Sequence, residues 1–121
     1  MPLEDRANFF ASKSPQLRVS LTLYPTEESV RSTPIIPGWM CSCFAVKDPF
    51  ENRRAKASAS DGAPILVDGQ MELGTTQVVD FIFPLAGKDA VPLVEKSTRF
   101  YLWEGGYVGE ADVLEIYKQL T

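Results

Sequence analysis

The chain has 121 residues, 45% hydrophobic and 23% charged, with 12 basic against 16 acidic side chains and a formal net charge of −4. That length suits one domain burying roughly two thirds of the surface its unfolded form exposes, and leaves no room for a second of any size. With no histidine in the chain, Ser-His-Asp and Cys-His nucleophiles, histidine general bases and nearly all catalytic zinc sites are excluded; the acidic balance argues against non-specific nucleic-acid or anionic-membrane binding as the main role.

At the start, Met1 to Lys13 carries Glu4, Asp5 and Arg6 before the short Phe9-Phe10 pair. Neither a signal peptide nor a membrane span is expected, because a span needs about 20 apolar residues in succession. Residues 1–14 read as an N-terminal extension and 15–121 as the domain. Leu17, Val19, Leu21 and Leu23 alternate with Arg18, Ser20 and Thr22, the pattern of a half-buried strand, stopped by Tyr24-Pro25. Trp39, Cys41 and Cys43 share one face of a second strand and Met40, Ser42 and Phe44 the other, with Asp48-Pro49 closing it.

Cys41 and Cys43 are the only cysteines. Two apart in a strand, they sit side by side in poor geometry for bridging one another, and a closed zinc site would need further thiol or imidazole ligands that the chain lacks. They read as small core residues of a protein in a reducing cytosol, with no metal or cofactor expected.

Glu51 to Gly62, with Arg53, Arg54, Lys56 and an Ala/Ser run, has too few large apolar residues to pack and reads as a mobile loop. Ile65 to Val67 is a short third strand, followed by an Asp68-Gly69 turn. Gln77 to Phe83 makes a fourth, with Val79, Phe81 and Phe83 on one face and Val78 and Ile82 on the other. Gly87 to Lys96 can form one or two helical turns, capped by Asp89. Arg99 to Trp103, the Glu104-Gly105-Gly106 turn, and Tyr107 to Tyr117 complete the chain. Nine prolines and eight glycines punctuate a pattern of period two, which indicates an all-β antiparallel sandwich or barrel.

Two segments go beyond class. The first runs from Leu21 to Trp39 and includes Leu23-Tyr24-Pro25-Thr26-Glu27-Glu28-Ser29-Val30-Arg31 and Thr33-Pro34-Ile35-Ile36-Pro37-Gly38-Trp39; the second is Arg99-Phe100-Tyr101-Leu102-Trp103-Glu104-Gly105-Gly106-Tyr107-Val108-Gly109. In order, spacing and distance from the chain end they resemble the C-terminal β-barrel domain, the third domain, of elongation factor Tu, over roughly residues 17 to 117. The resemblance implies a single six-stranded antiparallel barrel. In that family the barrel follows a GTPase domain and a second barrel and contacts the acceptor and T-stem backbone of aminoacyl-tRNA. Here no Gly-rich phosphate loop with Gly-Lys-Ser/Thr is present, so GTP binding is not expected. The family's paired glycines become Ser29 and Val30, and its basic or polar positions become Met40, Ser42, Phe83 and Tyr107.

Candidate interaction residues lie on or beside these segments. Arg31 can bind a phosphate or a partner carboxylate through its planar fork; its bland reading is a local pair with Glu27 or Glu28. Glu104 and Gly105 belong to the turn that, by resemblance, approaches RNA, and otherwise make a hairpin needing positive backbone dihedrals. Trp39, Trp103 and Tyr107 are either interface anchors or barrel filling. Carboxylate pairs such as Asp61 with Asp68, or Glu27 with Glu28, read as solvated rather than as a glycosidase acid and base, and Arg53, Arg54 and Lys56 lack the interleaved aromatics that stack on bases.

The expectation is therefore a non-enzymatic binding module: a stand-alone, translation-factor-like cytoplasmic barrel that contacts another protein, with translation components among the candidates. The alternative is an RNA-binding accessory recognising tRNA or rRNA backbone. The loss of cationic positions at Met40, Phe83 and Tyr107 favours protein over tRNA.

Overall fold

A computed structural model of the chain describes residues 3–12, 14–45, 60–84 and 98–117. The strand legible in Leu17, Val19, Leu21 and Leu23 forms as β1, Leu17–Leu23, with all four side chains fully buried. It lies antiparallel between β4 (Thr76–Ile82) and β6 (Tyr107–Ile116), with Leu21 opposite Gln77 on one side and Ala111 on the other. β2 (Cys41–Phe44), β3 (Ser60–Ile65) and β5 (Arg99–Trp103) complete the wall. The order β1-β4-β3-β2-β5-β6 closes on itself as an all-antiparallel, six-stranded barrel. Closure pairs every strand on both sides and so removes the exposed edges that invite association with other chains.

The interior is filled from β1, β2, β4, β5 and β6, with Ile35, Trp39 and Met71 added from the connections. Phe81, Phe83 and Phe100 form its aromatic centre, with ring centroids 5.2 to 5.8 Å apart, and Cys41 and Cys43 face inward beside them in the same apolar cluster. Gly62 points at this centre from β3: a Cβ there would lie 2.5 Å from a Phe81 ring carbon and 2.9 Å from one of Phe83. Glycine weakens a strand, and its use in β3 is explained by this close approach of two rings.

β3 corrects the sequence reading. The third strand was expected at Ile65 to Val67 and the stretch through Gly62 as loop; instead the strand spans Ser60–Ile65, and Val67 lies outside it at 84% exposure. Ser60, Asp61 and Gly62 show no apolar alternation. They become strand because β2 pairs with them, Cys41 opposite Gly62 and Cys43 opposite Ser60, while Ala63 to Ile65 pair with β4. Ladder partners override weak local propensity here. β2 is also shorter than expected, since Trp39 and Met40 precede it, although Trp39 is still buried at 6% exposure. The remainder of the predicted loop, 51–59, and the predicted helical turns at 87–96 lie outside the described residues.

Within the predicted N-terminal extension lies a helix, α1 (Leu3–Ser12). Glu4 and Asp5 occupy its first turn, where the helix dipole favours negative charge. Phe10 is buried against Ala63 and Ile82 on the outer wall, with Met40 and Ile65 packed beside it, and Arg6 donates to the Gly38 carbonyl. Of the predicted second face of β4, Ile82 is thus covered by α1, while Val78 stays 59% exposed. Among the described residues no helix is long and apolar enough to cross a membrane.

Candidate interaction surface

After β1 the chain crosses one end of the barrel as residues 24–40, turning through a 3₁₀ helix at Thr26–Glu28. This crossover delivers Arg31 and Trp39 to the β5–β6 hairpin turn, where both bind Glu104. Arg31 Nη1 donates to Glu104 Oε1 at 2.6 Å, and Trp39 Nε1 donates to Glu104 Oε2 at 2.8 Å. The guanidinium also lies over the Trp39 ring, 5.6 Å from its centroid, within cation–π range. Its remaining nitrogens donate to the Thr33 carbonyl at 2.9 Å and the Pro34 carbonyl at 3.0 Å. The pair of Arg31 with Glu27 or Glu28 that sequence suggests is therefore replaced by one spanning 73 positions.

Gly105 adopts φ +73, the left-handed region that favours glycine, so the hairpin reading of this turn holds at that position. Gly106 is constrained differently, by Val30 of the crossover lying against it.

On the outer wall beside this turn the period-two pattern collects aromatic side chains. With Phe100 and Leu102 inside, Tyr101 and Trp103 face out; Trp103 meets Phe44 of β2 edge to face at 6.2 Å and Tyr107 of β6 at 5.0 Å, and Tyr107 meets Tyr101 at 6.2 Å. Such T-shaped contacts are the favoured geometry of aromatic quadrupoles. Beyond Tyr101 the wall turns polar: Arg99 binds Asp112 at 2.8 Å and Glu110 at 2.9 Å, and Tyr24 donates to Glu110 at 2.9 Å. Burial, and then the adjacent Glu110 carboxylate, raise the Tyr24 phenol above its ordinary value.

A depression of about 380 Å³ opens between this aromatic wall and β3, lined by Met40, Cys41, Ser42, Asp61, Trp103, Glu104 and Gly105. Register accounts for it: Ser42 stands opposite Asp61 on one side and Trp103 on the other. These three form one outward row across three strands, with the smallest side chain in the middle.

The predicted residues thus fall into two adjoining groups about one hairpin. Arg31, Trp39 and Glu104 form a closed clamp, with Gly105 at the turn; Trp103 and Tyr107 stand on the open wall. Phe44, Tyr101 and Asp61 were missed. Tyr101 shared a face with Trp103 in the period-two pattern, whereas nothing local to Phe44 or Asp61 announced that strand pairing would bring them there.

Other candidates disperse. Asp61 and Asp68 line different depressions, the latter beside Arg18 and Asp80, so they cannot serve as one acid–base pair. Cys41 and Cys43 are free thiols, and burial, then contact with Cys43, pushes the Cys41 thiol well up. Among the described residues no three Cys, Asp or Glu side chains gather as a metal site. The four basic side chains of the described residues are all held internally: Arg6 on Gly38, Arg18 on Asp80, Arg31 on Glu104, and Arg99 on Glu110 and Asp112. Arg53, Arg54 and Lys56 lie outside the described residues.

Neither the protein-family models nor the curated proteins searched yield a match to this chain.

Proposed function

We propose that this chain is a non-enzymatic, cytoplasmic binding module, a stand-alone barrel akin to the third domain of elongation factor Tu, that docks another protein on the outer wall of β2, β5 and β6. Translation components are the first class of partner to examine. The observation that carries the reading is the run of Phe44, Trp103, Tyr107 and Tyr101 beside the braced Glu104 turn. Trp103, Tyr107 and Tyr101 are partly exposed and Phe44 is buried beneath them; large aromatic side chains already in mutual contact have the composition and pre-organisation of interface anchors.

Charge supports protein over RNA. A phosphate backbone is bound by cations that release counterions, and of the four arginines of the described residues three are already paired with carboxylates, while Arg6 donates to the Gly38 carbonyl.

The test is quantitative capture from native cytosol by the wild-type chain and by Tyr107→Ala, with the fold of each followed by circular dichroism. A partner held by the wild type and released by a folded Tyr107→Ala supports the reading; a partner held equally by both overturns the assignment to this wall.

A further inference from the structure

Resting on that reading and narrowing it, we infer that the depression over Ser42 is a receptor for one arginine side chain of the partner. The outward row Asp61, Ser42, Trp103 crosses adjacent strands in register. Strands lie about 4.8 Å apart, so the carboxylate and the indole flank Ser42 with their Cα atoms roughly 10 Å from one another. A planar group lying on the serine between them meets an anion on one side and an aromatic side chain on the other.

The charges choose its sign. Both charged side chains lining the depression, Asp61 and Glu104, are acidic, and among the described residues no basic side chain lines it. Glu104 is neutralised by Arg31, but Asp61 pairs with no cation among the described residues: its contact there is a long 3.4 Å bond from the Ser42 hydroxyl. Exposed Asp61 and the Trp103 ring therefore present an uncompensated negative charge beside the aromatic that binds cations best. Arginine fits better than lysine, since its guanidinium is planar, stacks on aromatic faces, is weakly hydrated, and forks onto a carboxylate. Access is open at the Gly105 end, where a Cβ would meet nothing within 4 Å, so a partner backbone can pass over the turn while its side chain enters.

The probe is an acetylated, amidated Gly-Gly-Arg-Gly-Gly peptide titrated into the ¹⁵N-labelled full chain, beside peptides with lysine or citrulline at the centre. The expected result is a concerted shift of the Trp103 indole N–H and the Ser42 and Asp61 amides, with one dissociation constant. Asp61→Asn, at an exposed position, raises that constant roughly threefold, as loss of an exposed ion pair should. Ser42→Leu fills the cleft and abolishes the shifts, and citrulline, isosteric but uncharged, fails to produce them.

Equal shifts with citrulline, equal affinity for lysine, shifts centred on Asp68 and Glu72, or an Asp61→Asn chain that binds like wild type would each overturn the assignment. So would movement of the Trp103 indole signal on changing Arg53, Arg54 and Lys56 to serine without peptide, which would give the cleft to the chain itself. The captured partner separates the two levels of the reading. Its retention by Ser42→Leu with loss by Tyr107→Ala sinks the arginine receptor alone, whereas retention by both sinks the docking wall.

Discussion

Val30 of the crossover rests on Gly106 of the β5–β6 turn so closely that no Cβ fits at position 106. This contact, with the Arg31–Glu104 bond beside it, fixes the crossover to the hairpin. Gly106→Ala should destabilise the fold by about 1–3 kcal/mol, the usual cost of forcing extra atoms into a packed contact. Val30→Ala removes both γ-carbons and should recover about half of that loss in the double mutant. Additive losses in denaturant titrations would show that the contact does not hold the turn.

β1 offers a direct test of the wall. Leu21 is fully buried while Thr22 faces outward, its hydroxyl 2.9 Å from that of Thr76. Leu21→Ala should cost about 2–5 kcal/mol, enough to unfold a marginal domain, and Thr22→Ala under about 1 kcal/mol. Equal losses at the two positions would contradict the inward and outward assignment.

Alkaline pH should weaken the fold through Tyr24. Its phenol is raised in the folded state above the ordinary 10.0, so above about pH 10 the unfolded chain loses this proton while the folded chain keeps it. Stability from this group is complete below pH 10 and declines as pH rises through the folded value. Tyr24→Phe should flatten that part of the alkaline limb measured by urea unfolding; an unchanged slope would reject the coupling.

The thiols should be inert in the folded protein. Cys41 and Cys43 are 6% and 0% exposed, and burial raises Cys41 away from its reactive thiolate. Mass spectrometry after iodoacetamide should find neither modified in native buffer and both modified in denaturant.

Transfer RNA binding should stay at non-specific levels, roughly 10⁻⁴ to 10⁻⁶ M at physiological salt, and be indifferent to aminoacylation. Submicromolar, salt-sensitive binding lost on changing Arg31 would favour RNA over protein as the partner.

Where apolar residues alternate, the amino-acid order alone determined structure. β1, most of β4, and the Arg99 to Trp103 hairpin arm were legible because burial on one face demands a period of two, and Gly105 was legible as a turn because its φ is costly for other residues. What tertiary structure alone decided lies where a residue's role is set by a neighbour distant in sequence. Asp61 and Gly62 carry no strand signal of their own; they are strand because β2 and β4 supply ladders, and glycine stands at 62 because Phe81 and Phe83 need its space. Arg31 had acidic neighbours at 27 and 28, yet barrel closure brought Glu104 nearer to its fork. Ser42 became the floor of a cleft only when β3 and β5 paired on either side of it, since a strand's local pattern sets which face a side chain occupies and only its register sets which side chains stand beside it.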